Sequence, residues 1–229
     1  LARTLDAQTL RELFPLVADR LVDRRTRSVA ARLLGWAGES GPAAALLIQV
    51  ARDDPFAGYV TREACLLALA TRGEERRLVQ ICLALRESPQ DWELLRRGVA
   101  LLNTSGAAFR ILCKGLFAEG ESAPDLQVMI AGDLADRSAS DLVPFLSKLV
   151  LQGRGFDPRE HLRLALALIR LDPKALAANV PRLVEGALST DDDLADEAVA
   201  ALGELRPPQL KASLERVFER PDPSGELRV

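Results

Sequence analysis

Aromatic side chains are scarce in this sequence of 229 residues: two Trp, one Tyr and seven Phe, 4% of the chain. It has one His and three Cys. A His-rich metal centre needs several converging imidazoles, so a single His161 argues against one. It also limits Cys–His catalysis to a His with no Cys nearby in the sequence. Cys65, Cys82 and Cys113 are odd in number and lack paired spacing, which argues against a disulfide framework or a zinc site. Each lies in an apolar stretch and reads as a buried free thiol in a reducing compartment. No stretch reaches the roughly 18 uncharged apolar residues of a membrane span, and no signal peptide is visible. Gly-rich phosphate loops, Walker sequences and nucleophile elbows are missing. A chain that opens on Leu1 rather than Met reads as a segment of a longer protein.

Charge of one sign is also lacking. The formal net charge is −3, with 28% charged residues. Residues 1–110 carry a net +3 and residues 111–229 a net −6. This gentle slope is not the basic stripe of a nucleic-acid binder.

What the sequence does have is Leu, Ala and Val, which make up most of a 48% hydrophobic content. Small apolar residues suit helices that pack closely. Asp191 to Leu205 places Leu194, Ala198, Ala201, Leu202 and Leu205 on one helical face. Similar stretches run from Thr26 to Ala37, Tyr59 to Ala70 and Arg159 to Leu171, with looser ones from Asp91 to Leu102 and Asp125 to Asp136. Anchored at Ala31, Leu66, Gly98, Gly132, Leu166 and Ala200, they recur with a step near 34 residues. A constant step means one supersecondary unit repeated along an axis. A second apolar helix lies between each pair, so each unit reads as a helical hairpin. The expected helices are 6–22, 26–38, 42–53, 56–71, 74–87, 89–103, 105–118, 123–136, 139–152, 158–171, 173–189, 191–205 and 207–220.

Helix starts agree. Asp157-Pro158-Arg159-Glu160 offers an N-cap, a proline at the first helical position and an acid at the third. Ser88-Pro89-Gln90-Asp91 has the same form, and Ser122 with Asp125 and Thr190 with Asp193 share its spacing. The Asp191–Asp193 run at a helix start reads as capping rather than as a cation site.

Asp191 to Leu205, with its acidic turn, Ala-rich face and Ala201-Leu202-Gly203 ending, resembles the second helix of a HEAT or HEAT-like (bilin-lyase-type) repeat. Leu33-Leu34-Gly35 is similar to that ending. Pro15, Pro144 and Pro181 fall in first helices, where the family has a kinking proline. The resemblance spans about Leu5 to Arg220. It implies an all-α fold: a right-handed α-solenoid of about six HEAT-like hairpins plus a C-terminal capping helix, Pro208 to Arg220. The array covers residues 1–220, followed by a frayed tail, 221–229. The family's Asp–Arg ladder is expected as Asp23 with Arg27 and Asp54 with Arg62, and it lapses in the last repeat at Ala195 and Asp196.

HEAT arrays serve many roles, so function rests on the surface. Second helices line the concave face of such arrays and here carry Arg27, Arg62, Arg96, Arg97, Arg159 and Arg163. Arg62, Arg96, Arg97 and Arg163 are the candidate partner-binding residues, tempered by Glu63, Glu93 and Glu160. The expected function is a non-catalytic, cytoplasmic protein–protein interaction scaffold with no cofactor or metal, binding a peptide segment or a neighbouring domain. The alternative is a HEAT-like DNA glycosylase built on Trp92, Asp91, Arg96 and Arg97, against which a pI near 5.4 weighs. A bilin-lyase-like chromophore scaffold would need a cavity. Trp36 and Trp92 are expected to pack in the core, and His161 to sit at the surface or in a cap.

Overall fold

The structure, a computed structural model, describes residues 7–36, 41–54, 56–118, 122–152, 155–188 and 192–203. Those residues form twelve α-helices and three short 3₁₀ turns, with no strand among them. The helices are α1 (Ala7–Ala18), α2 (Arg24–Leu34), α3 (Gly41–Asp53), α4 (Gly58–Thr71), α5 (Glu75–Leu85), α6 (Trp92–Ala100), α7 (Ala107–Phe117), α8 (Pro124–Asp136), α9 (Val143–Gln152), α10 (Pro158–Leu171), α11 (Leu176–Ala187) and α12 (Asp192–Gly203). Each matches an expected helix to within a few residues. The expected thirteenth helix, the frayed tail, Thr190 and Asp191 lie outside the described residues.

The chain divides into two compact units, at Ser122 and Ala123. In the first, successive helices pair as α1 with α2, α3 with α4 and α5 with α6, and alternate helices also pack, α1 on α3 on α5 on α7 and α2 on α4 on α6. In the second, α10 packs on α8, α9, α11 and α12. A helix with neighbours all round should be apolar all round. Accordingly Leu162 and Leu164 through Ile169 are all buried. Close approach is built in by small residues: a Cβ on Gly98 would stand 2.5 Å from Cys82 Sγ, and one on Gly35 would stand 3.0 Å from the Ala68 backbone. Cys65, Cys82 and Cys113 are buried free thiols. Burial pushes the first two up to about 12.

Several local expectations are corrected. Pro15 and Pro181 do lie inside helices. Pro144, however, is the second residue of α9, just after a 3₁₀ turn at Ser140–Leu142. A proline there loses no helical hydrogen bond, because a first-turn N–H has no partner anyway. Asp157 and Glu160 form the expected capping box. Ser88 makes no side-chain cap, and Ser122 caps nothing: α8 starts from Ala123 and the Ser122 hydroxyl is buried without a hydrogen-bond partner. Trp36 is 59% exposed rather than packed. Trp92 is half-buried and donates its indole N–H to the Arg86 carbonyl at 3.1 Å.

Candidate interaction surface

The arginines of α2 and α4 are the first to be accounted for. Arg27 is 1% exposed. Its Nε donates to the Val17 carbonyl at 3.0 Å and its Nη2 to Asp54 at 2.6 Å. Arg62 repeats this one unit later: Nε donates to the Ala51 carbonyl at 2.8 Å and Nη1 to Asp91. The ladder therefore exists, but each rung reaches forward. An arginine in one second helix grips the aspartate before the next second helix, not Asp23 or Asp54 in the pairing expected. Asp23 instead caps α2, accepting from the Thr26 amide at 3.0 Å. Geometry explains the shift. A side chain turned onto the core stacks beside the next repeat, whereas an acid four residues away on the same helix start is occupied by orphan amides.

Asp54 shows the balance of forces. Burial alone would raise its carboxyl, but the Arg27 hydrogen bond, the Phe56 amide and the charges of Arg27 and Arg20 hold it below its usual value. A buried arginine so gripped is a structural element, with two of its N–H donors committed inside the fold.

In the second unit the same place along the helix is taken by His161. Its Nε2 lies 2.8 Å from the Val150 carbonyl, eleven residues back, as Arg62 is from Ala51. A carbonyl can only accept, so Nε2 carries the proton. Arg182 donates to the same oxygen at 3.0 Å. The lone histidine thus takes the place of the rung arginine against a backbone carbonyl and is not a cap.

The remaining arginines lie outward. Arg96 pairs with Glu93 on its own helix at 3.0 Å. Arg97 lies 3.4 Å from the Tyr59 hydroxyl, 3.5 Å from Glu63 and 3.6 Å from Glu93. Asp91, the acid of the glycosylase-type cluster, is held by Arg62. Of the four candidate residues, Arg62 is in the ladder, Arg96 and Arg97 share the outer face of α6, and Arg163 belongs to the second unit.

Arg163 lines a cleft of about 580 Å³ between α8, α10 and α12. Its apolar lining is Val128, Met129, Leu166, Ala167 and Leu194, and its carboxylates are Asp125, Glu160, Asp193 and Glu197, against Arg163 and Arg170. Arg170 lies across it, 2.9 Å from Glu197 and 3.4 Å from Asp136. Partial burial pushes the Glu160 carboxyl up, and a hydrogen bond with Asp125 and the charges of Asp157 and Asp125 add to this, against the Asp157 amide that lowers it. Asp125, Asp193, Glu197 and Arg170 were missed by a reading that followed positive charge only. A signal was present: Met129, Arg163 and Glu197 stand 34 residues apart, as do Asp136 and Arg170.

Among the described residues no group of three or more His, Cys, Asp or Glu is placed to hold a metal ion. Among them, too, no helix is long and apolar enough to cross a membrane. Comparison of the chain with family models, with curated proteins and with solved structures finds no match.

Proposed function

We propose that the chain is a non-catalytic, cytoplasmic protein-interaction module, a HEAT-like helical array of right-handed sense whose second helices carry the binding surface. The cleft on α8, α10 and α12 is the observation that carries this reading. An apolar floor ringed by fixed charges binds an amphipathic protein segment better than a compact polar ligand. Four carboxylates against two arginines favour a segment with Lys or Arg side chains flanking one or two apolar anchors. Arg163 then tunes selectivity by repelling cations at its own end of the cleft. Arg96 and Arg97 are a second, separate contact region on the first unit.

The test is fluorescence anisotropy with a labelled amphipathic peptide rich in lysine and its glutamate-substituted analogue, at two salt concentrations. The lysine peptide should bind the full chain, more weakly at high salt. Reversal of Asp193 and Glu197 to Lys should weaken it about tenfold or more, the effect of about 1.4 kcal/mol. Equal binding of both peptides, or of neither, would remove the reading.

A further inference from the structure

The internal repetition reports what should cover each part of the first unit, and one part is uncovered. Thirty-five residues separate Arg27 from Arg62, and the same step relates Asp19 to Asp54 and Leu21 to Phe56. The local geometry repeats as well. Asp19 accepts from the Leu21 amide at 2.8 Å, and Asp54 accepts from the Phe56 amide at 3.0 Å.

The surroundings of the two turns differ. Asp54 receives Arg27 at 2.6 Å and Arg20 at 3.7 Å, and the Arg20 guanidinium stacks over Phe56 at 4.7 Å. Both arginines come from the preceding repeat. At Asp19 no basic side chain among the described residues forms a pair, and Leu21 is 94% exposed.

The helix face tells the same story. On α4, Thr61 bonds to Ser28 and to the Arg24 carbonyl, and Ala68 abuts Gly35, so the flank bearing Thr61, Ala64 and Ala68 is the one laid against α2. Ala64 and Ala68 are fully buried there. The matching positions on α2, 35 residues earlier, are Val29 and Leu33, which are 52% and 41% exposed. Larger apolar side chains stand where the register demands a covered flank. An exposed apolar stripe beside an unanswered ladder carboxylate marks an interface.

We infer that the outer flank of α2, with Asp19 and Leu21, is a docking face for a further helical hairpin that brings an arginine to Asp19 and a second cation over Leu21. The occupant is set by what Asp54 and Phe56 receive: two arginines seven residues apart, the later one on a second helix. Among the described residues a second copy of this chain stacked end to end does not supply it: the rung position of α12, the last described helix, is Ala195, 34 residues after His161. The face is therefore built for a different hairpin of the same type.

A direct test extends the full chain by a second copy of residues 6–40 placed ahead of Asp6, one period in length, with Leu33→Cys in the original sequence only. The added Arg27 then stands in register with the original Asp19. Alkylation at Leu33→Cys should slow several-fold relative to the unextended chain carrying the same change, Cys65, Cys82 and Cys113 being buried, and the melting temperature should rise by several degrees. Asp19→Asn should lower the melting temperature of the extended chain and leave that of the unextended chain unchanged. Unchanged alkylation and melting on extension would overturn the proposal. So would an Asp19→Asn effect of equal size in both chains. A concentration-dependent dimer of the unextended chain in sedimentation, with Leu33→Cys protected in it, would assign the face to a second copy and overturn the hairpin.

Discussion

The two units use the same kind of helix and place their charges differently. In the first, Arg27 and Arg62 are drawn into the fold and each ties one repeat to the next through an aspartate. In the second, the corresponding place holds His161, which reaches a backbone carbonyl rather than an aspartate. Arg170 there lies on the surface, about half exposed, between Asp136 and Glu197. Comparable helix positions thus add stability or surface chemistry according to the residue type that occupies them. An arginine that is already bonded has little left to offer a partner, and one across an open cleft can exchange its carboxylates for a ligand's cations.

The comparison can be broken most sharply by truncation. Arg27→Ala leaves Asp54 partly buried without its main partner and should cost about 3–5 kcal/mol, as loss of one member of a buried pair does. Arg170→Ala should cost less than about 1 kcal/mol, because its partners stay hydrated. Urea unfolding of both variants checks this, and equal losses would erase the distinction. The contrast is confined to charge, so apolar truncation should not respect it. Leu69→Ala in the first unit and Leu168→Ala in the second, both buried, should each cost about 2–5 kcal/mol. A loss under about 1 kcal/mol for Leu168 would contradict its place in the core of the second unit.

His161→Ala should have a smaller effect, about 1 kcal/mol, the net worth of a typical hydrogen bond. Arg182 still donates to the Val150 carbonyl in that variant, which limits the loss. A His161 cost as large as that of Arg27 would mean that the bond to a carbonyl matters as much as the pair with a carboxylate.

The finest separation is by pH. Asp54 has a folded value below its ordinary 3.8. Its contribution is present above that value and is lost as pH falls through the lowered one. Glu160 has a folded value above its ordinary 4.5. Its protonated form is favoured by the fold, so it adds stability as pH falls through the raised value and loses it as pH rises. Acidification from pH 6 toward 4.5 should therefore strengthen the second unit slightly before the first weakens below about pH 4. Glu160→Gln should remove the early gain and Asp54→Asn the later loss, read by hydrogen exchange in each unit.

Much of this was legible from the residues. The recurrence of Leu and Ala at helical spacing located all twelve described helices, because burial of one stripe per helix leaves a periodic trace. The Asp157-Pro158-Arg159-Glu160 start was legible because its chemistry is local. The ladder partners were not: a sequence presents Asp23 beside Arg27, while the fold presents Asp54, 27 residues on. Trp36 was misplaced because it lies past the end of α2 at Leu34, where the position one period on, Thr71, is exposed as well. The cleft carboxylates escaped because Asp125, Asp193 and Glu197 each look like ordinary helix-start or surface acids until α8, α10 and α12 set them around one apolar floor.

In the proposed reading α8, α10 and α12 of the second unit, and not the ladder face of the first, bind a cationic amphipathic segment. Hydrogen exchange of the full chain with and without the lysine-rich amphipathic peptide tests it most directly. Added protection is expected within Pro124–Asp136, Pro158–Leu171 and Asp192–Gly203, abolished when Asp193 and Glu197 are reversed to Lys. Protection confined to Arg24–Leu34 and Gly58–Thr71, or protection that survives the reversal, would contradict it.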